Sequence, residues 1–222
     1  MKIICLAYRD WALNVVKEIS NNKNISKMKL FKTQKEFDEF QLKNMDEYVV
    51  FAIGWSNILS EKTVSEYLCV GMHPSDLPKY KGGSPIQHQI IDGILDTNAS
   101  LFQLSKEIDD GQIFLKEPLS LRGDNMQQIF KNIEKSSIVL FNKFIDRYPN
   151  IESQPQEDGS HITYKRRLAS ESEITKDDIS KLTVIQLYNK IRSLTDPYPN
   201  AFLEDKNGDR IYFKGVSFEK ND

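Results

Sequence analysis

Two places in this chain can carry chemistry on residue type and position alone. His73 directly follows the apolar run Leu68 to Met72 and precedes a loop, Pro74 to Gly83, rich in proline and glycine. An imidazole there can move a proton or face developing negative charge. A histidine beside a proline is more often structural than catalytic, so position alone leaves both readings open. The second place is the turn Ile108-Asp109-Asp110-Gly111, whose carboxylates can orient an imidazole or accept a proton. The other histidines are scattered: His88 reads as a helix-face residue satisfied by its neighbours, His161 as a surface residue. No Cys and His spacing resembles a zinc site, so no metal is expected. Cys5 and Cys69 lie inside KIICLAY and EYLCVGM and read as small core residues of a reducing compartment, not as disulfide partners.

The elements that must hold these residues follow from apolar periodicity. Ile3 to Tyr8, Met28 to Phe31, Tyr48 to Ile53 and Leu68 to Met72 lack polar alternation, the pattern of strands buried on both faces. Trp11 to Ile19 and Gln34 to Leu42 between them read as helices. This alternation predicts an α/β, Rossmann-like, mostly parallel sheet. No GxGxxG follows the first strand, so dinucleotide binding is not supported. Ser84-Pro85-Ile86-Gln87 predicts a helix start, with Ser84 as cap, Pro85 at the first helical position and Gln87 closing a capping box; Gly93 supplies a left-handed stop.

Ala99 to Leu104 and Gln112 to Leu119 predict two strands joined by the Asp109 turn. A longer helix follows, with Asp124 as cap and Gln127 three positions on. Its stripe of Met126, Phe130, Ile133, Leu140, Phe141 and Phe144 reads as core packing, not as a site. Pro149 to Gly159 reads as a polar linker. It divides the chain into a catalytic domain, residues 1–150, and a small C-terminal α+β subdomain, residues 151–222. In the latter, Thr183 caps a helix burying Val184, Leu187, Ile191 and Leu194, and Asn207-Gly208 joins Ala201-Phe202-Leu203 to Ile211-Tyr212-Phe213 in a hairpin.

Bulk properties bound the function. A length of 222 residues suits one domain with a smaller appendage. With 39% hydrophobic and 28% charged residues the composition is globular rather than disordered. A net charge of -2 argues against a nucleic-acid binder living on phosphate contacts. The N-terminal apolar stretch runs straight into Arg9 and Asp10, too short for a signal peptide core. No apolar run approaches the roughly 20 residues of a membrane span. A cytoplasmic protein is expected.

The segment GMHPSDLPKYKGGSPIQ resembles the signature loop of the 10-formyltetrahydrofolate-dependent formyltransferases, in which a strand ends in a histidine followed by a Pro- or Ala-Ser-x-Leu-Pro stretch. Further on, IDDGQI is similar to that family's Asp-x-Gly turn, which makes Asp109, not Asp110, the functional aspartate. TYKRR and RSLTDPYPNAF resemble segments that follow the catalytic domain in methionyl-tRNA and sugar formyltransferases. One departure stands out: the family usually places an asparagine two residues before the histidine, where this chain has Gly71. A donor of that kind is worth about 2.7–4 kcal/mol of transition-state stabilisation.

The resemblance implies direct formyl transfer from 10-formyltetrahydrofolate to a neutral amine, with His73 and Asp109 at the reacting centre. It implies a folate cleft between Trp55, Asn57, Ile58 and Leu59 on one side and Ser105, Glu107, Ile108 and Asp109 on the other. Trp55 reads either as a pterin-stacking ring or as plain loop packing. The chain stops soon after the hairpin, near Gly215, where methionyl-tRNA formyltransferases carry a further barrel. By resemblance, the implied acceptor is therefore a UDP- or dTDP-linked 4-amino-deoxy sugar of the kind used in surface-polysaccharide biosynthesis. Tyr8 as a base-stacking ring, with Arg9, Lys79, Lys81, Gly82, Arg166 and Arg167, are the candidates for holding it. A homodimer is expected, with no nucleic-acid or membrane partner. A formyltetrahydrofolate hydrolase and a catalytically impaired binding module are the alternatives.

Overall fold

The computed structural model describes residues 1–44, 47–157 and 162–220. Its centre is a six-stranded sheet in the order β2-β1-β3-β4-β6-β7. In chain order these are β1 (Lys2–Leu6), β2 (Lys27–Phe31), β3 (Tyr48–Ala52), β4 (Cys69–His73), β6 (Asp96–Gln103) and β7 (Ile113–Ser120), with the short β5 (Lys81–Gly82) lying outside the sheet. The first four run parallel; β6 and β7 are antiparallel additions. This is the mostly parallel α/β architecture that the strand-helix alternation predicts.

Side chains along the parallel strands alternate between two apolar layers, as the period of two requires. Ile3, Cys5, Val49, Phe51 and Val70 face one layer, where α1 (Asp10–Ile19) and α5 (Met126–Arg147) pack. Ile4, Leu6, Val50 and Cys69 face the other, closed by Phe37 of α2 (Gln34–Asn44) and by Leu59. The short α3 (Glu61–Glu66) is capped by Ser60, and α4 (Pro85–Ile91) follows β5. Both cysteines are free and buried, and burial pushes each thiol up to about 12, so they are inert core residues.

Several local expectations are corrected. β2 is not buried: it is the sheet edge, half-exposed along its length, and Lys29 lies over the Phe40 ring at 4.7 Å. Lysines on an edge strand discourage pairing with another chain. Ser84 does not cap α4. It adopts a left-handed backbone (φ 53°), and its Oγ accepts a hydrogen bond from the Arg167 N–H instead. Pro85 does open that helix, and Gly93 is left-handed at φ 83°. The cap of α5 is Asn125, whose Oδ1 accepts from the Gln128 N–H; Asp124 uses its carboxylate to accept from the Tyr188 hydroxyl. The supposed linker is partly pinned, because Gln154 and Ile113 exchange two backbone hydrogen bonds at 2.7 and 2.9 Å. Gly159 and His161 lie outside the described residues.

The C-terminal part comprises β8 (Thr163–Tyr164), a 3-10 turn at Ala169–Ser172, α6 (Lys176–Lys181), α7 (Val184–Ser193) and the β9 (Phe202–Glu204) and β10 (Arg210–Tyr212) hairpin. Thr183 caps α7 with Gln186 completing the box. Val184 is 72% exposed, contrary to expectation, because α7 buries Asn189, Ile191 and Arg192 instead. The hairpin connection is also longer than an Asn-Gly turn: Asp205 Oδ1 accepts from both Asn207 N–H and Asp209 N–H. Arg192 is almost fully buried. Its Nε donates to Asn189, and one terminal nitrogen donates to the carbonyls of Leu121 and Gly123. Thr195 Oγ1 accepts from the Met126 N–H at the start of α5. Among the described residues no helix is long and apolar enough to cross a membrane.

The loop after β4 is tied to the sheet by polar contacts. Ser100 Oγ donates to the Ser75 carbonyl and accepts from the Leu77 N–H, while Lys116 donates to Asp76 and to the Leu77 carbonyl. Burial pushes the Asp76 carboxyl up, but hydrogen bonds from Lys116 and Asn98 and the nearby Lys116 and Lys79 charges outweigh it, holding the group below the usual carboxylate range. A carboxyl that titrates lower folded than unfolded stabilises the fold above its unfolded value, near ~3.9. That contribution is lost as pH falls through the folded value. Asp76→Asn is therefore expected to reduce unfolding free energy by up to about 1 kcal/mol at pH 7, with the deficit shrinking as pH falls below the unfolded carboxylate value of ~3.9. Urea melts at pH 7 and at a series of values below that point check this, and a deficit that stays constant would exclude the charge as its origin.

Candidate active site

Gly71 and His73 fall on the same side of β4 as Cys69, two residues apart along the strand. The turn after β6 brings Asp109 to that side, and His73 Nδ1 lies 3.3 Å from Asp109 Oδ2. His73 is only 6% exposed. Its Nε2 lies 2.8 Å from the Tyr80 carbonyl oxygen. Both ring nitrogens thus face oxygen atoms, which fixes the orientation of the ring. The geometry sets an imidazole beside a carboxylate.

Asp109 is held from several directions. Its backbone is left-handed at φ 53°, and its Oδ2 accepts from the Gly82 N–H at 2.8 Å. The following glycine is obligatory, since a Cβ on Gly111 would stand 1.7 Å from the Gln103 carbonyl oxygen. Gln156 Nε2 donates to the carbonyls of Asp109 and Gly111. The neighbouring Asp110 is ion-paired with Lys81. β5 in turn pairs with β8, Lys81 against Thr163 and Gly82 against Tyr164. The Tyr164 ring stacks on Tyr80 and contacts His88, whose Nε2 meets the Lys165 carbonyl.

His73 and Asp109 line a cleft of about 1140 Å³ beyond the ends of β1, β3 and β4. Trp55, Asn57, Ile58, Leu59, Ser105, Glu107 and Ile108 all line it. Ile58 and Ile108 are 82% and 56% exposed, apolar groups open to solvent beside the cleft. Leu59 is mostly core, and Trp55 packs against the same layer with its edge to Tyr8 at 5.6 Å. Arg9, Gly82 and Arg166 also line the cleft; Tyr8, Lys79 and Lys81 do not. Tyr8 is engaged with Ser56, Lys79 is an exposed partner of Asp76, and Lys81 is consumed by Asp110. Gly82 spends its N–H on Asp109.

Sequence reasoning missed Trp11, Gln87 and Tyr198, and read Phe130 and Ile133 as core alone; all five line the cleft. The Trp11, Phe130 and Tyr198 rings form a row, with centroids 6.1 and 5.9 Å apart. The only signal was Trp11 at the start of the helix after β1 and the Pro-Tyr-Pro run, neither distinguishable from packing. Among the described residues no group of three His, Cys, Asp or Glu could hold a metal ion.

Comparison with known proteins agrees with this fold. A solved structure of methionyl-tRNA formyltransferase from Clostridium thermocellum superposes with a TM-score of 0.78 at 27% identity, covering 98% of this chain and 100% of that one. A sugar N-formyltransferase from Shewanella shares the fold at TM-score 0.76 and 14% identity, with 99% of each chain covered. The methionyl-tRNA formyltransferase of Thermotoga maritima is 33% identical over 77% of this chain, a match that spans 55% of that relative's own length. Residues 8–139 match the formyl transferase family, to which this chain belongs.

Proposed function

We propose that this chain transfers a formyl group from 10-formyltetrahydrofolate to the amine of a nucleotide-linked 4-amino-deoxy sugar. The observation that carries formyl transfer is the His73 and Asp109 pair, 3.3 Å apart and lining one cleft. The amine lone pair attacks the formyl carbon, and the carbonyl electrons move onto oxygen. The His73 Nε2–H exchanges the Tyr80 carbonyl for that oxyanion as its acceptor. Collapse breaks the bond to the folate nitrogen, which takes up a proton as the new amide sheds one; Asp109 is the base available for that exchange.

Support for the acceptor comes from the rest of the cleft. Arg9, Arg166 and Arg167 lie in it with the Trp11, Phe130 and Tyr198 rings. Guanidinium groups suit a diphosphate, and rings suit a base or sugar face. The 33% identity to a methionyl-tRNA formyltransferase favours a second reading, in which the amine is that of methionyl-tRNA.

Gly71 bears on the rate. A Cβ there would stand 2.7 Å from Leu104 Cδ2 and 3.3 Å from Phe102 Cε1, so apolar groups fill the space a longer side chain would need. The developing charge then falls on His73 and on backbone donors. Gly71→Asn alone is expected to destabilise by about 1–3 kcal/mol through overpacking, and Leu104→Ala to relieve it. Denaturant melts of the single and double variants test this; a Gly71→Asn protein as stable as its parent would refute the packing argument.

The acceptor is tested by incubating the protein and 10-formyltetrahydrofolate with UDP- and dTDP-linked 4-amino sugars, with methionyl-tRNA, and with no amine, reading products by mass. Gain of one formyl group on a sugar is expected. Formylation of methionyl-tRNA alone selects the second reading, formate release without an amine selects hydrolysis, and no product at all leaves a binding module. His73→Asn is expected to lower turnover roughly 10²–10⁴-fold with unchanged circular dichroism. Retention of most of the rate would remove His73 from the mechanism.

A further inference from the structure

Asp109 does its work from an unfavourable backbone conformation, and what keeps it there lies in a segment that the sequence presents as a linker. A left-handed φ at a non-glycine residue persists only where its surroundings over-determine it. Two of the restraints belong to the turn's own neighbourhood: the Gly82 N–H on the carboxylate and the bare Cα of Gly111 against Gln103. Neither fixes the two carbonyls that flank the Asp109–Gly111 step. Gln156 does. Its Nε2 donates to the Asp109 carbonyl at 2.7 Å and to the Gly111 carbonyl at 2.9 Å. The side chain is itself placed two residues beyond Gln154, whose backbone is paired with Ile113 at the start of β7, and Ser153 Oγ meets Gln112.

The other end of the same amide is informative. Gln156 Oε1 is buried and has no hydrogen-bond partner. An idle buried acceptor is a cost that an apolar residue of the same length avoids. What the amide offers in return is its N–H groups, both directed at the turn. Gln156 does not line the cleft, so any effect on chemistry passes through Asp109.

We propose that Gln156 is a positioning residue: its amide donors hold the turn that presents Asp109 to His73. This rests on the formyl-transfer reading above. The variants are Gln156→Met, which keeps length and removes the donors without adding charge, and Ser153→Ala, which removes one side-chain contact of the same segment while the Gln154 and Ile113 backbone pairing still places Gln156. Gln156→Met is expected to lower kcat about 10²-fold, with KM for donor and acceptor held within roughly two-fold, and to change the pH dependence of kcat; Ser153→Ala is expected to behave as the parent.

A readout independent of activity is the NMR titration of the His73 ring, identified by its loss in His73→Asn. It is expected to move in Gln156→Met and not in Ser153→Ala. An unmoved His73 titration in Gln156→Met, or a loss of kcat equal in Ser153→Ala, overturns the proposal. A parent inactive with every acceptor refutes the formyl-transfer reading, and the ring titration still decides whether Gln156 sets the Asp109 geometry.

Discussion

The site turns on a contact between a histidine that finishes a parallel strand and an aspartate carried by an antiparallel hairpin. A purely parallel sheet would not make it. Because β6 runs against β4, the chain that leaves β6 comes back beside the strand that ended in His73, with Leu104 bonded to the Cys69 carbonyl and Asp109 reaching the imidazole. The reversal from parallel to antiparallel order is therefore what supplies a carboxylate, and the two oxygen atoms around the ring fix the orientation of the imidazole.

Distant parts of the chain share the task of holding that contact. The loop after His73 is fastened at its beginning to β6 and β7 through Ser75, Asp76 and Lys116, and at its end to β8 through the Lys81 and Gly82 pairing. The Tyr80 ring, lodged on Tyr164 and hydrogen-bonded to Asp92, fixes the residue whose carbonyl faces His73. Residues beyond 160 thus act on the geometry of a histidine at 73, and the C-terminal part is as much scaffold for the site as appendage to it.

Much of this was legible in the sequence, for physical reasons that also mark where legibility stops. Long apolar runs mark strands, and a histidine closing one of them before a proline-glycine loop marks a place where a site can form, which the resemblance of the surrounding motif then selects. The order of His73 and Asp109 survives because it rides on motif spacing. β2 misled because Met28, Leu30 and Phe31 read as buried, whereas an edge position leaves them half-open. Ser84 misled because its hydroxyl has a better use in the Arg167 N–H than in its own helix. Lys79 and Lys81 looked like free cations, but their carboxylate partners, Asp76 and Asp110, are set by tertiary proximity. Gln156 sent no signal at all: a glutamine between a proline and a glutamate is ordinary surface composition, and only its two backbone partners reveal it.

Arg192 carries a consequence for the order of assembly. The carbonyls of Leu121 and Gly123 and the amide of Met126, just where the long helix α5 begins, are met by Arg192 and Thr195. A guanidinium keeps its proton at any ordinary pH, so this fastening has no titratable weak point. During synthesis, however, the chain emerges from its amino end. Until the stretch around 192–195 has left the ribosome, the helix that covers one face of the sheet lacks the guanidinium and hydroxyl that meet its first turn.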